Sequence, residues 1–468
     1  MCTTFIGNYQ VGYAMDLKKN DIIELKITSM TAQGSGVGKT GDGIVIFVPL
    51  SAVGDELEVK ILKTKKTYAY GKISRIVNPS ESRAEQYCPH FSKCGGCVYR
   101  HIDYNSELEI KYNRVKDAME RIGGFDGLKI NPVVGNERVD RYRNKAQIPA
   151  QNTENGVQLG FYANHSHRII PCEDCLLQPE VFRTVMDVTR EFMNSTSQLA
   201  YDERTGRGKL RHLYIRYAEM TDELMVCYVV NGNGLKQEDV LVKALRDRLS
   251  NLKSVIFNSN RENTNVILGA KNRTAFGSDY ITDILCGKRF KISPLSFYQV
   301  NRAQAQRLYE IAADYAGLNG DEVLLDLYCG TGTIGLTMAD KCKELIGVEI
   351  VEDAVHDAYE NARINGVENA RFICGDAAYA ADKLEAEGVR PDVVVIDPPR
   401  KGCDSGLIRT ISRMSPDRVV YVSCDPETLA RDLKLFSEEN YIVKELTPVD
   451  LFSRTAHVET VALLSVSE

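Results

Sequence analysis

The chain has 468 residues, a length that predicts about three domains. Hydrophobic residues make up 43% and charged residues 26%, which excludes a disordered chain, a collagen-like chain and a small disulfide scaffold. The 58 Lys and Arg are outnumbered by 64 Asp and Glu, and the formal charge of −6, taken as a total, argues against a nucleic-acid partner.

The first twenty residues lack a basic start followed by an apolar run, so no secretory signal is expected. Met15 is a candidate start, since Met15-Asp-Leu-Lys-Lys reads as a polar N-terminus. No apolar stretch reaches the ~18 residues of a membrane helix, and no membrane partner is expected. The 13 cysteines are an odd number in a long chain. A reducing, cytosolic location is expected, where clustered cysteines more often bind metal or do chemistry than form disulfides.

Residues 15–78 read as an all-β domain. Strands are predicted at Ile22–Ile27, at Ile44–Val48 and through Leu57, Val59 and Ile61, which alternate with charged neighbours. Gly34, Gly36, Gly38, Gly41 and Gly43 punctuate the first turn, a pattern that suits a small OB-like barrel. Lys60, Lys63, Lys65, Lys66, Lys72 and Arg75 follow with no acid among them, and Tyr68 and Tyr70 lie in the same run. Such residues neutralise phosphates and stack on bases. The competing reading is a lysine-rich edge strand that resists aggregation.

Residues 79–290 form the second predicted domain. Cys88, Cys94 and Cys97 have the spacing of three metal ligands without a local fourth. A helix is predicted over 107–122, and two more near 179–193 and 236–249, in a stretch otherwise rich in strands. Basic runs occur at Arg138, Arg141, Arg143 and Lys145, and at Arg204, Arg207, Lys209 and Arg211. From 291 onward, apolar runs at 323–326, 345–348, 392–396, 418–422 and 457–464 alternate with helical segments. That order predicts an α/β domain with a parallel, doubly wound sheet. There is no internal repeat and no low-complexity segment.

Gly330, Gly332 and Gly335 fit G-x-G-x-x-G after a strand, with Glu349 at the end of the next strand. On spacing alone a dinucleotide fits. Three features favour S-adenosylmethionine instead. Asp326 closes its strand where a carboxylate can answer a cationic methionine end. That cofactor has no pyrophosphate to seat on a helix start. Asp397-Pro398-Pro399-Arg400 places another carboxylate at the carboxyl edge of the sheet.

Two residues suggest the chemistry. Cys424 follows a strand and precedes Asp425 and Pro426, which suit a helix N-cap and first position. A helix start favours a thiolate. Glu459 is an acid within an apolar strand, where burial would raise its pKa toward that of a proton acceptor. A small buried cysteine and a solvent-facing acid are the alternatives. A thiolate, a carboxylate and a methyl donor together suit methylation of a pyrimidine at C5, with thiolate attack at C6 making C5 nucleophilic.

The segments Asp326-Leu-Tyr-Cys-Gly-Thr-Gly-Thr, Asp397-Pro-Pro-Arg-Lys-Gly402, Tyr421-Val-Ser-Cys-Asp-Pro-Glu-Thr-Leu-Ala-Arg431 and His457-Val-Glu-Thr-Val461 strongly resemble the RNA uracil-5-methyltransferases. The N-terminal stretch resembles the TRAM domain of the ribosomal-RNA members. The resemblance implies a Rossmann-like catalytic domain over 291–468, with Cys424 as nucleophile and Glu459 as base. It implies cofactor contacts from Gln299, Tyr328, Glu349 and Asp397, with Thr333 and Asp376 from neighbouring motif positions. Asp425 is a departure, since many relatives carry Asn there. The resemblance also supplies Cys175 as the fourth ligand beside Cys88, Cys94 and Cys97, with Cys172 competing by position. Four thiolates hold zinc or a 4Fe-4S cluster, and relatives with this pattern hold the cluster. The implied substrate is 23S ribosomal RNA, with transfer RNA as the alternative, and the implied state is a monomer. A non-catalytic RNA chaperone is the contrasting reading, against which Cys424 and Glu459 both speak.

Overall fold

The computed structural model describes residues 17–164, 166–263 and 265–467. The candidate start at Met15 lies outside the described residues. Among them, no helix is long and apolar enough to cross a membrane. The chain divides into two compact units. The smaller holds residues up to Tyr87 with Cys97–Ile110 and Arg454–Ala456, and the larger holds Cys88–Gly96, Lys111–Ser453 and the chain from His457.

In the smaller unit, six strands pair in the order Ile22–Lys26, Glu56–Thr64, Tyr68–Asn78, Val45–Val48, Gly36–Lys39, Ser29–Met30. The alternation read from the sequence is realised: Leu57, Val59 and Ile61 are buried, and they share a core with Leu25, Ile27, Ile46 and Val48. Gly36 is required by close packing, because a Cβ there would lie 2.0 Å from Ser51 Oγ.

The larger unit contains two seven-stranded sheets and a hairpin. The first sheet runs Lys271–Gly277, Leu252–Ser259, Glu223–Val230, Leu210–Ala218, Lys145–Thr153, Gly156–Tyr162, Ile169–Pro171. It is antiparallel except where Glu223–Val230 and Leu252–Ser259 lie parallel, joined across the helix Glu238–Arg248. Its central strands are buried on both faces. Leu213, Ile215, Val226 and Tyr228 enter one core with the helix Val181–Ser195, while Tyr214, Met225, Cys227 and Val229 enter another.

The second sheet runs Ala370–Cys374, Glu344–Glu349, Val323–Leu327, Val393–Ile396, Arg418–Ser423, Glu459–Val466, Tyr441–Val449. The first five strands are parallel, as the alternating pattern predicts. Strand order reverses between Val323–Leu327 and Val393–Ile396, the point where such sheets open a ligand crevice. One strand departs from the parallel expectation, while Tyr441–Val449 runs in the direction of the first five. Glu459–Val466 inserts antiparallel to both Arg418–Ser423 and Tyr441–Val449. Its first residue therefore lies at the carboxyl edge of the parallel strands, with Thr460 opposite Ser423. The helix predicted over 107–122 is α-helical at Tyr104–Ala118 and continues as a π-turn over Met119–Gly123, closed by Gly124 at φ 74°. Residues beyond it extend the sheet's outer edge, where the amides of Asn131 and Val134 donate to the carbonyls of Leu446 and Pro448 at 2.8 Å.

Candidate active site

The glycine turn begins as the strand Val323–Leu327 ends. Tyr328, Gly330 and Gly332 all have positive φ, at 65°, 56° and 79°. This turns the chain sharply into the helix Thr333–Met338. Asp326 Oδ2 accepts the Gly335 amide at 2.8 Å, and a Cβ at Gly335 would lie 2.8 Å from that oxygen. The third glycine is thus fixed by the carboxylate beneath it. Asp326 Oδ1 is buried with no hydrogen-bond partner. Burial pushes the Asp326 carboxyl up to about 7, with Asp397 and Glu349 adding repulsion. Asp397 is likewise pushed up to about 7 by burial. Two buried carboxyls, one with an orphaned oxygen, fit a ligand that brings a positive charge.

Glu349 closes the neighbouring strand and accepts the amides of Gly330 at 3.0 Å and Val351 at 2.9 Å. The carboxylate expected at a ribose is therefore oriented by the glycine turn itself. Gln299 is buried, its carbonyl held by Asn144 Nδ2 at 3.0 Å and its side chain bonded to the Tyr309 hydroxyl. That hydroxyl lies 3.2 Å from Thr333 Oγ1, so Thr333 joins the same polar chain. Tyr328 is half-buried, and burial raises its phenol pKa with Cys403 and Asp376 among the nearby charges. Asp376 caps the helix Ala377–Ala386, accepting the amides of Ala378 and Tyr379. The six residues expected at the cofactor thus gather along the carboxyl edge of one sheet.

Cys424 follows the strand Arg418–Ser423. Asp425 caps the next helix by accepting the Thr428 amide at 2.9 Å, and Pro426 occupies its first turn, as read from the sequence. The expected thiolate is corrected. Burial pushes the Cys424 thiol up to about 11, and the charges of Glu459 and Asp397 push the same way, against only Arg400. Desolvation and three nearby carboxyl groups outweigh the helix start. Glu459 is 5% exposed, which excludes the solvent-facing alternative. Burial pushes its carboxyl up to about 8, with Asp397 adding and Arg400 opposing.

Arg400 and Asp432 escaped assignment from the sequence, although both lie in or beside the motifs. Asp432 is fully buried and accepts the Tyr421 hydroxyl at 2.6 Å and the Cys403 amide at 2.8 Å. Thr428 and Arg431 donate to the carbonyls of Arg400 and Lys401 at 3.1 and 2.9 Å. The helix after Cys424 therefore holds the loop that carries Asp397 and Arg400. The signal was the fixed spacing of Thr428, Arg431 and Asp432 along one helix face.

The expected cysteine ligands are drawn from both units. Cys88 and Cys94 belong to the larger unit with Cys175, and Cys97 belongs to the smaller. Burial pushes Cys175 up to about 12, and the charges of Cys172, Cys94 and Cys88 add to it. Cys172, the competitor, is pushed up to about 12 by burial and by Cys94 and Cys88. Among the described residues, no group of three or more His, Cys, Asp or Glu side chains is placed to hold a metal ion.

The basic runs divide. Arg141 grips Asp174 with two hydrogen bonds of 2.6 and 2.7 Å and donates to the carbonyls of Cys175 and Gln178. Arg138 pairs with Glu219 at 2.7 Å, and Arg211 is buried against the carbonyls of Asn260 and Glu262. These three stabilise the fold. In the smaller unit, Lys63, Lys65, Lys66 and Lys72 are exposed around a cluster of Phe47, Tyr68 and Tyr70, whose ring centroids lie 5.6–5.7 Å apart.

Comparison with known proteins agrees with this geometry. Residues 103–467 match the tRNA (uracil-5-)-methyltransferase family, and residues 17–74 match the TRAM domain. The chain is 42% identical to uncharacterized RNA methyltransferases of Halalkalibacterium halodurans and Clostridium tetani. Each comparison covers 96% of this chain, with 98% and 97% of the relative. The crystal structure of Pyrococcus abyssi tRNA (uracil-54, C5)-methyltransferase in complex with S-adenosyl-L-homocysteine superposes with a TM-score of 0.76 at 27% identity, over 94% of this chain and 99% of that one. The chain is a TRAM-containing, S-adenosyl-L-methionine-dependent RNA methyltransferase and belongs to the tRNA (uracil-5-)-methyltransferase family.

Proposed function

We propose that the chain methylates C5 of a uridine in RNA, with Cys424 as nucleophile and Glu459 as base. The observation that carries this reading is the strand register that sets Glu459 beside Cys424 at the carboxyl edge of the sheet. S-adenosyl-L-methionine supplies the electrophilic methyl group. Asp326, Asp397, Glu349, Gln299 and Tyr328 hold it, with Thr333 and Asp376 at the margins of the pocket. The Cys424 thiol gives up its proton to solvent, Sγ adds to uracil C6, and the electrons of the C5–C6 bond move toward C5 and O4. C5 would take the methyl group as the sulfonium S–CH3 bond breaks, its electron pair staying on the sulfur of the departing S-adenosyl-L-homocysteine. Glu459 then removes the proton from C5, the C5–C6 double bond re-forms, and the Cys424 thiolate leaves. Arg400, close enough to lower the pKa of both groups, offsets negative charge on the pair. The uracil must leave its stack to reach Cys424, so a flipped base or a loop is the substrate form.

Three modules serve this chemistry: a TRAM-like module over 15–78, a central module over 79–290 and the methyltransferase module over 291–468. In the central module Cys88, Cys94, Cys97 and Cys175 are the proposed ligands of a structural 4Fe-4S cluster. Cys94 and Cys88 lie near enough to add to the rise of the Cys175 pKa, a closeness that suits thiols a multivalent cation would draw together as thiolates. The proposed target is 23S ribosomal RNA, acted on by a monomer. Transfer RNA is the second reading, favoured by the likeness to the Pyrococcus abyssi enzyme. Mapping 5-methyluridine in ribosomal and transfer RNA from cells with and without the protein tests both. A site lost from 23S ribosomal RNA supports the first reading, a site lost from transfer RNA supports the second, and no lost site refutes the function.

A further inference from the structure

The end of the central sheet remote from the catalytic edge carries a groove of about 780 Å³, lined by Thr196, Gln198, Lys209, Asn233, Lys236 and Arg273 among others. We infer that this groove and its rim are a second docking surface, which binds the phosphate backbone of the substrate RNA away from the reacting uridine. The inference rests on the proposed RNA substrate and adds a specificity surface to it.

Three observations carry it. The first is charge. Arg204, Arg207, Lys209, Lys236 and Arg261 are exposed on the loops around the groove, and Lys271 is exposed at the start of its strand, in a chain whose total charge is −6. The acids nearby are Asp202, Glu203, Glu238, Asp239 and Glu262. Asp202 is matched by Arg204 at 3.4 Å, and Glu238 by Arg273 at 2.7 Å. A cationic surplus is left facing outward, and such a surplus spread over separate loops suits a polyanion rather than a single ion.

The second is order. Gln198 is buried and clamps Lys236, accepting its amide at 2.8 Å and donating to its carbonyl at 3.0 Å. Asn152 does the same for Ala200, donating at 2.8 Å and accepting at 2.9 Å. Asn233 accepts from Arg261 at 2.9 Å and from Arg273 at 3.2 Å. The three loops are thus fastened to one another and to the sheet, so a ligand would find the cations already arranged.

The third is position. The strand Leu210–Ala218 runs from this groove to the catalytic side, where Arg216 pairs with Lys145 and Asn144 holds the Gln299 carbonyl. Six residues of strand separate Leu210 from Arg216, a span of about 20 Å at roughly 3.4 Å per residue. That distance is too long for contact with the reacting base and suits a flanking segment of the same RNA.

The test is the triple variant Arg207→Gln, Lys236→Gln, Lys271→Gln in the full-length protein. Two RNA probes are compared: a short oligonucleotide containing only the target loop, and the same loop on its flanking helix. The variant should raise KM for the longer RNA about tenfold and leave its kcat unchanged. Both constants should be unchanged for the short RNA. Binding to the longer RNA, read by fluorescence anisotropy, should lose about 2 to 3 from its slope against log salt, near 0.9 for each lost phosphate contact. An unchanged KM and slope for the longer RNA overturns the inference, as does an equal loss on both RNAs. The binding measurement needs no turnover, so failure of this surface is distinguishable from failure of the proposed chemistry.

Discussion

Cys424 and Glu459 meet because Ser423 pairs with Thr460 across antiparallel strands. Had the last strand been parallel, Glu459 would begin at the opposite edge of the sheet. The insertion of Glu459–Val466 in reverse is therefore what brings an acid to the nucleophile. Glu459 also burdens the nucleophile: its charge pushes the Cys424 thiol up, after burial.

Glu459→Gln keeps the shape and removes that charge. Addition to C6 by the deprotonated thiol and methyl transfer do not require Glu459, but loss of the C5 proton does. The variant should accumulate a covalent protein–RNA adduct, seen as a band of reduced mobility on a denaturing gel. Its turnover should fall at least ~10³-fold. The same substitution should lower the thiol pKa, since a negative neighbour is gone. Alkylation of Cys424 by iodoacetamide should then rise with pH at lower pH than in the wild type, whose thiol lies up at about 11. Absence of the adduct removes Glu459 from the role of base.

Cys424→Ala should abolish methylation and form no adduct with any RNA. Cofactor binding should persist, because Asp326, Glu349 and Gln299 are held by the glycine turn, Asn144 and Tyr309 rather than by Cys424. Calorimetric titration with S-adenosyl-L-homocysteine checks this. A variant that still methylates RNA refutes covalent catalysis at this cysteine.

The legibility of the chain followed how each segment is buried. The strand through Leu57, Val59 and Ile61 buries one face, so its alternation was readable. The strands Leu210–Ala218 and Glu223–Val230 bury both faces between two cores, so neither shows an alternating pattern, and the buried Arg211, His212 and Arg216 interrupt the first. Glycines with positive φ and the Asp425 cap leave local marks, so the cofactor turn and the start of the catalytic helix were readable as well. The upward push on the Cys424 thiol was not, because it comes from burial and from Glu459 and Asp397, which other strands bring to it. The structural roles of Arg138 and Arg141 were unreadable for a similar reason, since their partners lie 81 and 33 residues away.

Asp397 and Asp326 predict a pH-dependent cofactor affinity. Both carboxyls are raised to about 7 by burial, so near pH 6 they are largely protonated in the unliganded protein. A bound sulfonium favours their ionised forms and must displace protons. Affinity for S-adenosyl-L-methionine should rise as pH increases from 6 to 8, and more steeply than for S-adenosyl-L-homocysteine, which lacks the sulfonium charge. The linkage to stability has the opposite sign. An acid with a raised folded pKa binds more protons when folded, so stability falls as pH rises from the unfolded value near 4 through about 7. The unliganded protein should therefore melt lower at pH 8 than at pH 6, and Asp397→Asn should flatten that dependence. Thermal shifts with each ligand at both pH values check these signs.

The cysteine assignment turns on Cys172 and Cys175, which share the same neighbours. Protein purified without oxygen should carry about four irons per chain, with visible thiolate-to-iron absorption, if the proposed cluster is present. Cys175→Ser should lose iron and absorption, while Cys172→Ser should keep both. The reverse result would transfer the fourth ligand to Cys172, and stoichiometric zinc in the wild type would replace the cluster by a zinc site. Arg141 offers an independent handle, because it fastens Asp174 and the carbonyl of Cys175 without contributing a ligand. Arg141→Ala should leave the loop carrying Cys175 loosely held, and so speed iron loss to a chelator. The charge contribution is separated by Arg141→Lys, which keeps one cation but cannot make the two-pronged contact to Asp174. If both variants release iron at the wild-type rate, the loop does not hold a ligand.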